Sequence, residues 1–300
     1  MEKIGETISK LNQQRHVNSE ALIQTILSDS EIAAFIQSHD LSQETINLSL
    51  SKFNQFLLER QKYNNSDPSY IAKGYAPILV MNEGYADVSY RETRELIEAK
   101  KKAEISDRIN LVNLPKSYRH IKMSDFDITN QSRMTVLSEI IDFVEAYPSL
   151  EQKGLYLYGD MGIGKSYLMA AMARELSEKK GVSTTLLHFP SFTIDVKNAI
   201  SSGSVKEEID AVKTVPVLIL DDIGAEQATS WVRDEVLQVI LQYRMLEELP
   251  TFFTSNYSFD DLERKWANIK GSDETWQAKR VMERVRYLAR EFHLEGANRR

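Results

Sequence analysis

Residues 159–166 constrain the fold of this chain more than any other segment. They read Gly159-Asp160-Met161-Gly162-Ile163-Gly164-Lys165-Ser166, which satisfies the pattern G-x-x-x-x-G-K-[ST]. An apolar run precedes the pattern and a helix-prone run follows it, as a strand–loop–helix phosphate site requires. Glycines let the backbone curl so that its N–H groups point inward, and the following helix adds its positive end. The segment therefore predicts a phosphate-binding loop, in which Lys165 reaches the β- and γ-phosphates of a nucleotide and Ser166 ligates Mg²⁺.

The rhythm of the chain from about residue 116 indicates the architecture around this loop. Short apolar runs alternate there with helical patterns, which predicts a three-layer α/β domain with a parallel sheet. The predicted strands are Lys153–Tyr158, Val182–His188, Val215–Leu220 and Thr251–Ser255. The predicted helices include Ser166–Lys179, Ser230–Glu248, Ser258–Trp266 and Glu274–Arg290.

Two carboxylates follow the most apolar of these strands. Asp221 and Asp222 come directly after Val217–Leu220, and ligands of parallel sheets bind at the carboxyl ends of the strands. We expect Asp221 to hold the hydration shell of Mg²⁺ and Asp222 to polarise the attacking water. Asp-Asp after an apolar run is also common at an ordinary strand end, but its position after the phosphate loop favours the functional interpretation.

Further polar candidates lie directly after the next strand and within the basic helix near the C-terminus. Asn256 ends the strand Thr251–Ser255 and is expected to orient water near the γ-phosphate; the alternative is a turn residue before the Ser258 cap. Arg280 and Arg284 are four residues apart and so share one helix face. One of them is a candidate arginine supplied to a neighbouring subunit's nucleotide; the alternative is an ordinary amphipathic surface helix.

The first 110 residues have a different pattern. Ile46, Leu50, Phe53 and Leu57 fall on one face of a helix, whereas Tyr75–Met81 and Tyr85–Tyr90 flank Asn82-Glu83-Gly84 as a hairpin would. The sequence therefore predicts a smaller, mostly helical domain over residues 1–110 with a β-hairpin element. A linker at about 105–115 joins it to a second domain over residues 111–300.

Composition excludes several classes of protein. The chain has 300 residues and a net charge of −7. It has no Cys, and this absence rules out disulfides, cysteine zinc sites, iron–sulfur clusters and thiol nucleophiles. No signal peptide or membrane-length apolar run is present, so we expect a cytoplasmic protein without a membrane partner. An acidic chain binds nucleic acid only locally, and the candidates are the basic segment 264–300 and the helix around Tyr243.

Taken together, these motifs resemble the AAA+ ATPases, and in detail the bacterial helicase-loader branch, the DnaI/DnaC family. The resemblance rests on residues 159–166, Asp221-Asp222-Ile223-Gly224, Leu249–Asn256, Arg280–Arg284 and the closing residues 295–300. It covers residues 110–300 strongly, and residues 1–110 through the order of their elements. It implies an AAA+ P-loop ATPase that uses ATP and Mg²⁺. It also implies a loader of the DnaB-type replicative helicase hexamer onto single-stranded DNA, in the primosome, with self-association through the ATPase domain.

The resemblance also bears on two details. Arg299 is the candidate for closing over the phosphates of its own subunit. Bacillus-type relatives carry a Cys/His zinc site in the N-terminal domain, but residues 70–90 contain neither residue type here. We therefore expect no structural zinc, with apolar packing by Tyr75, Ile78, Val80, Tyr85 and Val88 in its place.

Other functions remain open at this point. A transposase-helper ATPase of the IstB type shares the core motifs but does not need a helicase-binding N-terminal domain. A DnaA-type initiator would need a further domain for duplex DNA after the basic helix, and we expect none. A small-molecule P-loop kinase would need an arginine-rich lid, and a non-hydrolysing nucleotide switch would not need Asp222.

Overall fold

The computed structural model describes residues 20–149, 153–227, 229–269 and 273–299. The chain divides into two compact units, Met1–Lys101 and Lys102–Arg300. This division comes before residue 110, where the sequence suggests a boundary, because the strand Ile109–Val112 pairs within the sheet of the second unit.

From residue 20 onwards, where its description begins, the first unit contains three helices and a hairpin. Its elements are α1 (residues 20–27), α2 (Ser30–Ser38), α3 (Gln43–Asn64), β1 (Tyr75–Asn82) and β2 (Tyr85–Glu92), and α4 (Arg94–Asp107) follows. Asp29 caps α2 through the backbone N–H groups of Glu31 and Ile32 and pairs with Arg60 of α3. The core of the unit contains Ile26, Ile32, Phe53 and Phe56. The predicted helical region with a hairpin is therefore present.

Within the described residues of this unit, one face of the hairpin packs on the helices. Ala86 is buried there, and Leu79 and Val88 pack beside it, while the backbone N–H of Ala86 donates to Ser49 Oγ at 3.0 Å. The prediction that Tyr75, Ile78, Val80, Tyr85 and Val88 pack together is wrong in part. Tyr75 lies on the same face of the hairpin as Val88, whereas Ile78, Val80 and Tyr85 lie on the other face. Leu79 pairs with Val88, and neighbouring residues of a strand point to opposite faces.

The second unit is built on six parallel strands in the order β3-β5-β6-β7-β4-β8. The strands are β3 (Ile109–Val112), β4 (Gly154–Tyr158), β5 (Thr184–His188), β6 (Val217–Ile223), β7 (Thr251–Ser255) and β8 (Ala289–His293). The helices are α5 (Gln131–Ala146), α6 (Lys165–Lys180), α7 (Phe189–Ala199), α8 (Val205–Lys213), α9 (Gln238–Leu246), α10 (Phe259–Ala267) and α11 (Thr275–Leu288). A π-helical segment, Val232–Leu237, leads directly into α9.

Both faces of this sheet are covered, which makes the predicted three layers. Leu218, Leu220 and Phe253 face a core with α7 to α11, whereas Ile219 and Phe252 face a second core with α5 and α6. The strands are apolar at consecutive positions because strands buried on both faces need apolar residues on each.

The two edge strands are absent from the sequence prediction. The predicted helix Glu274–Arg290 is too long, since α11 ends at Leu288 and the next residues form β8. Strand β8 pairs in parallel with β4 along its whole length. It therefore carries the chain towards the same edge of the sheet as the phosphate loop.

Among the described residues, no helix is both long and apolar enough to cross a lipid bilayer.

Candidate nucleotide-binding and catalytic site

The predicted phosphate loop connects the end of β4 to the first residue of α6. Gly159 and Gly162 have φ angles of +147° and +79°, in the region that favours glycine. A Cβ atom at Gly159 would lie 2.3 Å from the carbonyl oxygen of Leu294, and one at Gly162 would lie 2.2 Å from Asn298 Oδ1. Two of the glycines are thus required by backbone conformation and by the close approach of the C-terminal residues.

Lys165 occupies the start of α6 with its ammonium group above the loop. Its Nζ donates to the carbonyl oxygens of Gly159 and Asp160 and to Asn256 Oδ1, each at 2.8 Å. The residue is buried, so these acceptors, rather than bulk water, hold the ammonium group beside the loop.

Asn256 links the phosphate loop to the acidic strand. While its Oδ1 accepts from Lys165, its Nδ2 donates to Asp222 Oδ1 at 3.1 Å. This pair of bonds fits only one orientation of the amide. Asn256 reaches this position because β7 lies between β6 and β4 in the sheet.

Asp221 is almost fully buried at the end of β6. Thr254 Oγ1 donates to its Oδ1 at 2.6 Å, and the Ser166 hydroxyl also hydrogen-bonds to it. Burial raises the pKa of Asp221 despite these hydrogen bonds, because desolvation disfavours the charged form. A buried carboxylate beside a hydroxyl forms the hard oxygen donor set that Mg²⁺ prefers, so Ser166 and Asp221 fit the predicted metal site.

Asp222 adopts a backbone conformation that non-glycine residues seldom adopt. Its φ angle is +59°, in the left-handed region that Asp and Asn tolerate better than most residues. Its N–H donates to Thr254 Oγ1 at 2.9 Å. The Thr254 hydroxyl thus contacts both acids: it donates to the Asp221 carboxylate and accepts from the Asp222 backbone N–H. The sequence analysis did not single it out, although a threonine within an apolar strand is a detectable signal.

These groups surround a cavity of about 590 Å³. The phosphate loop, Asp221, Asp222 and Asn256 line one part of it, and the segment before α5 lines another. That second part contains Leu114, Pro115, Tyr118 and Phe126. An apolar and aromatic wall together with a polar wall that includes the predicted phosphate loop suits a nucleotide.

Two other cavity residues were missed by the sequence analysis. His188 ends β5 directly beside Asp221, and its Nδ1 lies 2.8 Å from Ser191 Oγ. Arg133 of α5 is 1% exposed, and its guanidinium lies 4.0 Å from the ring centroid of Phe126. A lone charged residue in a helix is usually solvated, so the sequence offered no signal for Arg133.

The three remaining predicted arginines lie in two places. Arg299 lines the cavity, pairs with Asp127 and donates its backbone N–H to the carbonyl oxygen of Gly162. Arg280 and Arg284 do not line the cavity of their own subunit. Arg284 Nε donates to Gln242 Oε1 at 2.7 Å, and its Nη1 donates to the Arg280 carbonyl oxygen at 2.5 Å, whereas the Arg280 side chain is exposed.

Two family models match the chain in adjoining regions. The model described as primosomal protein DnaI N-terminus matches residues 1–90. The model described as IstB-like ATP binding protein matches residues 76–298. The second match places the cavity within an ATP-binding family.

One curated relative aligns along the entire chain. It is the replicative helicase loader DnaI of Bacillus subtilis (strain 168), which is 34% identical over 100% of this chain and 99% of its own length. The chain belongs to the DnaI family of helicase loaders. This confirms the predicted DnaI/DnaC family, and it supports the helicase loader over the transposase helper, because the DnaI match includes the N-terminal residues.

Solved structures of this family confirm the fold. A protein of Streptococcus pyogenes serotype M3, described as a candidate primosome component, is 79% identical over 66% of this chain and 98% of its own, with a TM-score of 0.58. A crystal structure of DnaI is 40% identical over 63% of this chain and 98% of its own, with a TM-score of 0.59. The predicted AAA+ fold with a parallel sheet is thus confirmed.

Proposed function

We propose that this protein is an ATP-hydrolysing loader that delivers the replicative helicase hexamer to single-stranded DNA during replication initiation or restart. The observation that carries the enzymatic part is the chain of contacts from Lys165 through Asn256 to Asp222. Lys165 starts α6, Asp222 lies near the end of β6 and Asn256 directly follows β7, so three separate elements bring these side chains together. The full-length similarity to DnaI supports the loading part.

Nucleotide binding draws on the loop and on the wall opposite. The N–H groups of residues 159–166 hold the phosphates. When nucleotide binds, Lys165 gives up hydrogen bonds to Asn256 and the loop carbonyls and donates instead to the β- and γ-phosphates. Leu114, Tyr118 and Phe126 provide apolar surface for the base. Ser166 and Asp221 would hold Mg²⁺, and the ion would supply positive charge that offsets the negative charge of the phosphates.

Hydrolysis needs a water molecule aligned with the γ-phosphate. Asp222 accepts a proton from this water, and the Asn256 amide orients the water. The hydrogen bond between Asn256 and Asp222 holds the two side chains next to each other. Arg284 or Arg280 of a neighbouring subunit stabilises the charge of the transition state. Arg299 remains on the loop of its own subunit.

The two parts of the chain divide the work. We assign helicase binding to the first unit, residues 1–101, and ATP-dependent remodelling to the second unit, residues 102–300. Helix α11 and its neighbourhood bind single-stranded DNA through a basic surface. Because this attraction is electrostatic, raising the salt concentration must weaken DNA binding.

The test mixes the purified full chain with the replicative helicase of the same cell, with and without ATP. We expect a complex in size-exclusion chromatography and ATP-dependent transfer of the helicase onto circular single-stranded DNA. The Lys165→Ala variant serves as the control and should form the complex without completing transfer. Absence of any complex, together with capture of a transposase, would instead favour the IstB-type helper.

A further inference from the structure

The last described residues lie across the phosphate loop. We call residues 294–299 the strap. The N–H of Leu294 donates to the Tyr158 carbonyl oxygen at 2.8 Å, and that of Arg299 donates to the Gly162 carbonyl oxygen at 3.0 Å. Between these points, the N–H of Glu295 donates to Ser132 Oγ at 2.9 Å. The strap is therefore tied to β4, to α5 and to the loop itself.

Arg133 of α5 contacts both the strap and the phosphate loop. Its Nε donates to the Asp127 carbonyl oxygen at 2.6 Å, and its Nη1 donates to the Ile163 carbonyl oxygen at 2.9 Å and reaches that of Glu295 at 3.5 Å. The Phe126 ring covers its guanidinium. One buried cation thus contacts the segment before α5, the phosphate loop and the strap.

These contacts fix the direction of two peptide groups in the loop. In a planar trans peptide, the C=O of one residue and the N–H of the next point in opposite directions. Arg133 directs the C=O of Ile163 towards its own guanidinium, so the N–H of Gly164 points in the opposite direction. The backbone N–H of Arg299 donates to the C=O of Gly162, which orients the N–H of Ile163 in the opposite direction. N–H groups of such loops are the ones that bind phosphate oxygens.

We propose that Arg133, acting with the strap, is a positioning residue that holds the phosphate loop in its phosphate-binding conformation. This inference rests on the proposed nucleotide site. Without Arg133 the loop becomes ordered only when nucleotide binds. The free energy of that ordering opposes binding, so the nucleotide affinity falls.

The chain offers a matched control at the amino ends of the strands, away from the phosphate loop. Arg244 is fully buried and donates to Thr251 Oγ1 and to the carbonyl oxygens of Lys213, Val215 and Pro250 at 2.7–3.0 Å. It is comparable to Arg133 in burial and in its carbonyl partners. It does not line the nucleotide cavity.

The experiment measures equilibrium binding of a fluorescent ADP to the full-length wild-type protein and to Arg133→Met and Arg244→Met. Hydrogen exchange of the peptide that covers residues 159–166 is measured in parallel without nucleotide. We expect both variants to lose thermal stability. Only Arg133→Met should bind ADP at least about tenfold more weakly, as the loss of one charge-assisted hydrogen bond predicts, and exchange the loop amides faster.

Two results would overturn the inference: unchanged ADP affinity in folded Arg133→Met, or an equal loss in Arg244→Met, which would indicate general loosening. If Arg133→Met does not fold, Arg133→Lys keeps the charge but lacks the planar fork and should show the same direction of change. Failure of the wild-type protein to bind ADP would refute the nucleotide site itself, and this outcome is distinct from both.

Discussion

Lys165 Nζ and Asn256 Oδ1 lie 2.8 Å apart and connect the phosphate loop to the strand beside the two acids. A triphosphate that enters the cavity competes for the same ammonium group. We therefore expect Asn256→Ala to leave ATP affinity within about threefold, because Lys165 keeps its loop acceptors. Hydrolysis should fall about 10²-fold or more, as when a single oriented polar group is removed from a reaction centre.

Asn256→Asp sharpens this prediction. A carboxylate at position 256 would pair with Lys165 and repel the γ-phosphate, so ATP should bind more weakly relative to ADP than in the wild-type protein. Binding of ATP, ADP and a non-hydrolysable ATP analogue by calorimetry, with single-turnover hydrolysis, separates the two effects. Equal losses for ATP and ADP in Asn256→Asp would contradict a position next to the γ-phosphate.

Lys165→Ala should bind ATP and ADP at least about 100-fold more weakly, since a charged donor to two phosphates is removed. Lys180 lies at the far end of the same helix and donates to the Glu145 carbonyl oxygen. Lys180→Ala should therefore bind nucleotide as the wild-type protein does. Near-normal affinity in Lys165→Ala, measured by fluorescence titration, would contradict the assignment of the phosphate loop.

Local chemistry explains which features the sequence predicts well. The loop, the acidic strand and the Asn-tipped strand each combine a run of apolar residues with polar residues at one end, and both signals are local. The register that brings Asn256 between Lys165 and Asp222 follows from the strand order, which sequence spacing does not contain. The family resemblance provides that order.

Other features depend on long-range contacts and escape a local pattern. Strand β8 has the sequence Ala-Arg-Glu-Phe-His, which continues a helical pattern as readily as it forms a strand. It becomes a strand because β4 offers it a free edge. Arg133 belongs to a helix start, and only the fold places it 2.9 Å from the carbonyl oxygen of Ile163.

Asp221→Asn should stabilise the protein while it removes metal binding. Burial raises the pKa of Asp221, so the folded state binds this proton more tightly than the unfolded chain does. The stabilising contribution of the protonated form is complete below the unfolded pKa and is lost as pH rises through the folded pKa. An asparagine at this position avoids that loss and still accepts from Thr254.

The measurement is thermal unfolding of wild-type protein and Asp221→Asn without nucleotide at pH 8 and near pH 4. At pH 8 we expect the variant to melt a few degrees higher, since about 1 kcal/mol shifts the Tm of a domain of this size by about 2–4 °C. The difference should shrink towards pH 4. Asp107 is exposed, and Asp107→Asn should show neither effect. An Asp221→Asn variant that melts lower at pH 8 would contradict the burial argument.

Asp222 can be tested with two substitutions that differ in backbone tolerance. Both Asp222→Asn and Asp222→Ala remove the proton acceptor and should slow hydrolysis by about 10²–10⁴-fold at saturating ATP. Only alanine is strained at a φ angle of +59°, so it should also cost about 1–2 kcal/mol of folding free energy. Chemical denaturation and steady-state ATPase assays measure the two effects separately. Wild-type turnover in Asp222→Asn would show that another group activates the water.

The arginines of α11 allow a test of catalysis across a subunit interface. Arg284 bonds to Gln242 and to the Arg280 carbonyl oxygen within its own subunit, outside its own nucleotide cavity. We expect Arg284→Ala to bind ATP normally and to hydrolyse it about 10³-fold or more slowly, as for arginines supplied in trans. Arg280→Ala, measured in the same way, decides which of the two acts. Arg286 pairs with Asp260 and Glu263 on α10, and Arg286→Ala should keep its ATPase activity.

Mixing variants distinguishes action in trans from a local structural effect. Lys165→Ala lacks the phosphate-binding half of the site but retains Arg284, whereas Arg284→Ala has the opposite defect. In a mixed oligomer, an Arg284→Ala subunit can bind ATP and receive the arginine of a Lys165→Ala neighbour. Activity should therefore recover in proportion to the mixed interfaces, as measured by ATP hydrolysis over a range of mixing ratios. A mixture as inactive as either parent, with mixed oligomers demonstrated by affinity tags, would place the role of Arg284 within its own subunit.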